Sequence, residues 1–179
     1  MRDEQSWHDW LVDNDAVSNG VWLVLAKKGV TEPTSLAYAQ ALDEALCSGW
    51  IDGQRRSRDS LTFVQRFTPR RPRSLWSKRN VEHVARLTEA GRMRAGGQRQ
   101  VELARADGRW ERAYPGSADA VAPDDLVAAL AALPDAQGRF AALSAQQRFA
   151  MLHPLITAAT PETRARRLER LIERLKRES

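Results

Sequence analysis

The apolar positions of the chain change their period along its length, and each period predicts a different element. Residues 21–26 read Val-Trp-Leu-Val-Leu-Ala, a compact apolar run that is typical of a buried strand. Next, Tyr38, Leu42 and Leu46 recur at helical spacing, which predicts a helix that opens near residues 33–35. The first part of the chain therefore combines a strand with a helix that follows it.

Period two begins at Trp50 and indicates a β-hairpin over residues 50–68, with a polar tip at residues 57–60. Pro69 ends the second strand because proline has no N–H to donate to a strand partner. Alternation assigns the hairpin residues to two faces. The predicted polar face carries Trp50, Asp52, Gln54 and Arg56 from the first strand and Val64, Arg66 and Thr68 from the second, and the core face carries Leu61, Phe63 and Phe67.

Helical patterns occupy most of the remaining chain. They predict a helix that is capped by Ser77, a shorter helix with Val101 and Ala104 on its core side, and, after a linker, helices over residues 124–133, 144–159 and 160–176. The predicted fold class is therefore α+β, with a small, mainly antiparallel sheet packed by helices and an all-helical C-terminal segment. The predicted divisions are an α+β core domain over residues 1–113, a linker at 114–123 and a helical segment at 124–179 that packs on the core.

Composition removes several classes of protein. The 179 residues are 42% hydrophobic and 28% charged, a balance that is typical of a globular chain, and a single cysteine excludes a disulfide framework. The longest apolar run, residues 126–133, is far shorter than the ~20 residues that span a bilayer. The N-terminus is acidic and lacks the apolar stretch of a signal peptide, so we expect a cytoplasmic protein.

The net charge of +5 is distributed unevenly. Residues 1–54 are acidic overall, whereas residues 55–79 contain nine basic side chains and one acidic side chain. This block has enough positive charge to hold a phosphate or another anion. The alternative interpretation is a solvated face on which charges pair and nothing binds.

Other sites for chemistry are weakly indicated. Cys47 falls at the end of a predicted helix, where the helix dipole opposes a thiolate, so we predict a buried packing role. None of the three histidines, His8, His83 and His153, lies near another histidine or Cys47 in the sequence, and no glycine-rich phosphate loop is present. We therefore expect neither a metal nor a cofactor.

The hairpin and the loop after it are the remaining candidate site. The predicted ligand-binding residues are Trp50, Asp52, Gln54, Arg56, Arg66, Thr68, Arg70, Arg71, Trp76 and Lys78. Guanidinium groups beside a tryptophan can hold phosphate or carboxylate and can stack on the ring. The predicted partner is an anionic small molecule or an anionic surface. Nucleic acid is not expected, because Phe63 and Phe67 alternate away from Arg66.

Two other functions stay open. In a small enzyme that acts on a phosphorylated or carboxylated substrate, Asp52 is the acid/base and the arginines form the oxyanion clamp. An interaction module instead uses the Arg-rich C-terminal helix and leaves Leu168, Leu171 and Ile172 exposed. We favour a binding protein over an enzyme.

Several segments of the sequence resemble the YdeI/OmpD-associated (OmdA, bacteriocin-protection) family of bacterial proteins. These segments are Gly20 to Lys28, Tyr38 to Gln54 with the motif Gly-Trp-Ile-Asp-Gly, Gln65 to Asn80 with the motif Arg-Phe-Thr-Pro-Arg, Pro123 to Leu126, and Pro161 to Leu168. The resemblance covers about residues 20–112 and 122–177. It implies a link to stress resistance and bacteriocin protection, and it supplies no reaction and no catalytic residue.

Overall fold

The computed structural model describes residues 1–177 and has a small antiparallel sheet with helices before, between and after its strands. The elements are α1 (Glu4–Asn14), β1 (Val21–Ala26), α2 (Tyr38–Cys47), β2 (Trp50–Ser57), β3 (Thr62–Pro69), α3 (Lys78–Glu89), α4 (Ala95–Ala106), α5 (Asp124–Ala131), α6 (Pro134–Ala142), α7 (Ala145–Ile156) and α8 (Pro161–Arg177). The α+β class that the sequence predicts is thereby confirmed.

The chain forms two compact units. The first comprises residues 1–74 and 80–111, and the second comprises residues 75–79 and the chain from residue 112. The sheet, α1, α2, α4 and most of α3 belong to the first unit, and helices α5 to α8 belong to the second. Within the second unit, Ser77 forms a parallel bridge with Tyr114.

Helix α1 is absent from the predicted elements, and it contributes two buried side chains to the core of the first unit. Asp3 caps the helix by accepting a hydrogen bond from the backbone N–H of Ser6 at 2.8 Å. Trp7 and Leu11, one turn apart, are fully buried, and the Trp7 ring lies 5.8 Å from the ring of Phe67. Helix α1 therefore packs on the side of the sheet that carries Phe67.

Helix α2 begins at Tyr38, later than the predicted opening at residues 33–35. In that stretch the Thr34 hydroxyl and the Ser35 N–H both donate to the carbonyl of Arg2. Because residues 34 and 35 are hydrogen-bonded to the N-terminal segment, the helix begins after them, at Tyr38.

The sheet has the order β1-β3-β2, and both pairings are antiparallel. The predicted hairpin of β2 and β3 is present, and β1 pairs with the edge of β3 that faces away from β2. On the core face of the sheet Leu23, Leu25, Phe63 and Phe67 are buried, as the alternation predicts for the phenylalanines. Leu61, predicted on this face, lies outside the strands in the hairpin tip and is 50% exposed.

A β-bulge at Gly53 and Gln54 changes the phase of β2. Asp52 lies opposite Phe67, and the register then shifts so that Arg56 lies opposite Val64. Residues that face each other across two strands share a face of the sheet. Asp52 is therefore on the core face and Arg56 on the opposite one, so the prediction that they share a polar face is wrong, because the bulge interrupts the alternation.

The second unit has its own apolar core, formed by Leu126, Leu130, Ala136, Phe140, Met151, Leu152, Leu155, Leu171, Ile172 and Leu175. Helix α7 continues through Pro154, although proline is usually unfavourable inside a helix. Two arginines of α8 bind carbonyls of α7 there: Arg164 donates to Leu155, and Arg167 donates to Pro154. Within residues 1–177, no helix combines the length and apolar character needed to cross a membrane.

Candidate functional site

The face of the sheet opposite Phe63 and Phe67 carries an aromatic ring that two arginines approach. We call it the outer face; its residues are Trp22, Val24, Ile51, Arg56, Val64, Arg66 and Thr68. The guanidinium carbon of Arg56 lies 4.6 Å from the ring centroid of Trp22, and that of Arg66 lies 6.0 Å from it. Both distances are in the range of cation–π contacts.

Strand register explains why these three side chains meet. Trp22 of β1 lies directly opposite Arg66 of β3, and Arg56 of β2 lies opposite Val64, which is one step further along the same face of β3. Each of the three strands therefore contributes one member of the group. Arg56 is exposed, and Trp22 and Arg66 are half-buried.

Within the described chain, no carboxylate lies within ion-pair distance of Arg56 or Arg66, and none of the residues of the outer face is acidic. An exposed cation–π contact contributes only about 0.5–1 kcal/mol, so it leaves the charge available to a ligand. The outer face can thus offer two guanidinium groups and one indole ring to an anion.

Trp50 and Asp52 from the predicted site lie elsewhere. Trp50 is 1% exposed, and its indole Nε1–H donates to the carbonyl of Asp15 at 3.3 Å. Asp52 is half-buried and accepts a hydrogen bond from the Tyr38 hydroxyl at 2.9 Å. Because Asp52 and Arg66 are on opposite faces of the sheet, the strand register does not form the acid/base and clamp arrangement of the enzyme alternative.

The other predicted residues divide between the loops and the second unit. Gln54 is exposed in the bulge and Thr68 lies on the outer face, whereas Arg70 is 5% exposed and its N–H donates to the carbonyl of Gly49. Arg71 is exposed in a turn that the Ser74 hydroxyl closes by accepting from its N–H. Trp76, which is buried, and Lys78, which is exposed, belong to the second unit.

Trp22 is the residue of this group that the sequence pattern does not predict as a site residue. The run at residues 21–26 predicts a strand that is buried on both sides, but only Leu23, Leu25 and Ala26 in it are buried. An antiparallel strand commonly leaves one face toward solvent. The alternation of Trp22 and Val24 with Leu23 and Leu25 was the available signal.

A second polar cluster in the first unit surrounds Glu44, which is 4% exposed. Arg94 donates to Oε2 of Glu44 at 2.8 Å, Arg92 donates to Oε1 at 2.5 Å, and Nδ1 of His8 lies 2.9 Å from Oε2. Burial raises the pKa of Glu44, but the hydrogen bonds from Arg94, Arg92 and His8 outweigh it, so the pKa is lowered overall. Since Arg94 also donates to the Glu44 carbonyl, this cluster fixes the end of α2.

The single thiol has the surroundings that the sequence predicts. Cys47 is fully buried, and burial raises the pKa of its thiol to about 11, with a further contribution from the Glu44 carboxylate. His153 of the second unit lies edge-on to Tyr114, with ring centroids 4.7 Å apart. Burial and then the charge of Arg167 lower the pKa of His153, so the neutral imidazole is favoured.

The apolar side of α8 is covered within its own unit. Leu171 and Ile172 are buried in the core of the second unit, and Leu168 packs against that core. The interaction-module alternative needs these three side chains exposed. The structure therefore does not support a docking surface at this position.

Two family models match the chain. Residues 1–100 match a family described as a domain of unknown function, DUF8412, and residues 119–178 match OmdA, described as Bacteriocin-protection, YdeI or OmpD-Associated. No curated protein matches the chain, and no solved structure matches it.

Proposed function

We propose that this chain, which belongs to the DUF8412 family through residues 1–100 and has an OmdA domain at residues 119–178, binds an anionic ligand or partner through the outer face of its sheet. Neither family description names a reaction. The observation that carries the proposal is the group of Trp22, Arg56 and Arg66, in which two arginines without carboxylate partners in the described chain meet one ring.

Three other arginines of the first unit differ from Arg56 and Arg66 in this respect. Arg86, Arg92 and Arg94 each bind a carboxylate at 2.8 Å or less. These pairs are satisfied inside the protein and have a structural role. Arg56 and Arg66 contact an indole ring instead, and a cation that has no internal counter-charge is better suited to bind an external anion.

The OmdA description mentions bacteriocin protection, and we extend the proposal to an indirect role of that kind. A chain with a net charge of +5 has no overall attraction for cationic peptides. It can contribute to protection by covering anionic groups that such peptides need. The same basic face then serves both the binding and the protective role.

Thermal unfolding at low salt tests the binding proposal, with inorganic phosphate, pyrophosphate and tripolyphosphate as probes. A ligand at about 100 times its Kd stabilises the native state by about 2.7 kcal/mol, which raises the melting temperature. We expect tripolyphosphate to stabilise the parent protein but neither Arg56→Ala nor Arg66→Ala. High salt should remove the effect, because exposed charges are screened.

Arg99→Ala is the matched control, because Arg99 is an exposed arginine of α4 in the same unit, away from the strands. It removes the same charge and should leave the ligand-induced stabilisation intact. Equal stabilisation of all four proteins, or of none, contradicts the proposal.

A further inference from the structure

We infer that the anionic partner of the outer face is single-stranded nucleic acid, with a base stacked at the Trp22–Arg56 pair and backbone phosphates on Arg56 and Arg66. This inference rests on the proposed function and specifies its ligand. Proteins that bind single strands place aromatic rings and cations together on one exposed strand face. That combination is the feature to look for in this sheet.

The aromatic component comes from β1. Phe63 and Phe67 are buried on the core face, away from Arg66, as the alternation predicts. The expectation that the protein does not bind nucleic acid depends on the positions of Phe63 and Phe67 alone. Trp22 changes it, because it lies directly opposite Arg66 and on the same face.

A guanidinium group over an indole ring is suited to a nucleotide more than to a bare anion. With its carbon 4.6 Å from the Trp22 centroid, the Arg56 guanidinium can offer its plane to a base while its N–H groups bind phosphate. The neighbours Val24, Ile51 and Val64 are half-buried and apolar. They suit the faces of bases and sugars, which a simple phosphate does not have.

Further cations extend the positive charge along the sheet. Lys27 and Lys28 follow β1 at the hairpin-tip end, where the Lys27 N–H donates to the carbonyl of Leu61. Arg71 and Arg73 are exposed just after the opposite end of β3. A strand of eight residues is about 25 Å long, so the two groups of cations lie near opposite ends of a span that suits several nucleotides.

Fluorescence anisotropy with a labelled oligothymidylate of about ten nucleotides tests the inference, and unlabelled inorganic polyphosphate of similar charge serves as competitor. We expect Trp22→Leu to weaken oligonucleotide binding about fivefold or more, because one base loses its stacking partner. The same variant should bind polyphosphate as the parent does.

A second variant removes the planar groups and keeps the charge. The double substitution Arg56→Lys with Arg66→Lys should weaken oligonucleotide binding by a similar factor and leave polyphosphate binding in place. Arg99→Ala is again the matched control and should bind both probes as the parent does. This double variant keeps Trp22 and both positive charges, so it tests the role of the planar guanidinium groups even if Trp22→Leu does not fold.

The outcomes separate the two proposals. If polyphosphate and the oligonucleotide bind equally well and neither Trp22→Leu nor the lysine variant discriminates between them, nucleic acid is overturned and anion binding remains. If Arg56→Ala and Arg66→Ala bind both probes as the parent does, both proposals fail. Selective loss of the oligonucleotide in the stacking variants supports the inference.

Discussion

Tyr38 donates a hydrogen bond from its hydroxyl to Oδ2 of Asp52 across 2.9 Å. The bond joins the first residue of α2 to the third residue of β2, and it provides a partner for a carboxylate on the core face of the sheet. Asp52 therefore has a structural role, because it links α2 to β2.

Substitution of Tyr38 by Phe tests this role. We expect Tyr38→Phe to lower the free energy of unfolding by about 1 kcal/mol, because the half-buried carboxylate of Asp52 loses this donor. Urea denaturation measures the change. Stabilisation by tripolyphosphate should be unaffected, since Asp52 and Arg66 lie on opposite faces. A folded Tyr38→Phe variant that no longer responds to tripolyphosphate would contradict the assignment.

The cluster around Glu44 predicts a loss of stability in acid. The pKa of Glu44 is lowered in the folded protein from its ordinary value of 4.5. Its contribution to stability is therefore complete above pH 4.5 and declines as the pH falls toward the lowered folded-state pKa. Urea denaturation at a series of pH values measures this dependence.

Glu44→Gln should lower the free energy of unfolding at neutral pH by about 2–3 kcal/mol and weaken its dependence on acid, because Arg92 and Arg94 lose a charged acceptor. Glu102→Gln is the matched control on exposed α4 surface. Equal pH profiles for the parent and Glu44→Gln would show that the cluster does not contribute in this way.

The close approach of α4 to the end of α2 predicts a strong effect of one added methyl group. A Cβ at Gly97 would overlap the carbonyl oxygen of Cys47 and lie 2.8 Å from that of Leu46. Backbone atoms cannot easily move aside, so Gly97→Ala should destabilise the protein by about 2–3 kcal/mol. Thermal unfolding measures the change.

Gly138→Ala is the opposite case. Gly138 is in α6, and a Cβ there meets nothing within 4 Å. Alanine is favoured over glycine inside a helix by roughly 0.5–1 kcal/mol, so this variant should be more stable than the parent. Two substitutions of the same chemical kind are thus expected to have opposite signs, and equal effects would contradict the packing seen at Gly97.

The thiol of Cys47 should be inert in the native protein. It is fully buried and its pKa is raised to about 11, so little thiolate is present at neutral pH and a reagent has no access. We expect an aromatic disulfide reagent to react with it only in denaturant. Rapid labelling under native conditions would show that the end of α2 opens readily.

Local patterns in the sequence determined much of the fold. The α+β class, the hairpin, the burial of Phe63 and Phe67 and the core side of α8 all follow from the spacing of apolar residues. Helix α1 also had a local signal in Asp3, Trp7 and Leu11. The basic block from residue 55 to residue 79 contains Arg56 and Arg66 of the candidate site, whereas Trp22 lies outside it.

Tertiary structure decided which residues of that block meet. The bulge after Asp52 changes the phase of β2, and alternation cannot reveal it because period two assumes an unbroken strand. The pairing of Trp22 with Arg66 depends on β1 adding to the far side of β3, a contact between distant parts of the chain. The sequence by itself therefore determined the types of side chain and their strands, while strand order and register decided that one tryptophan and two arginines share a face, because only packing of the whole sheet fixes the register.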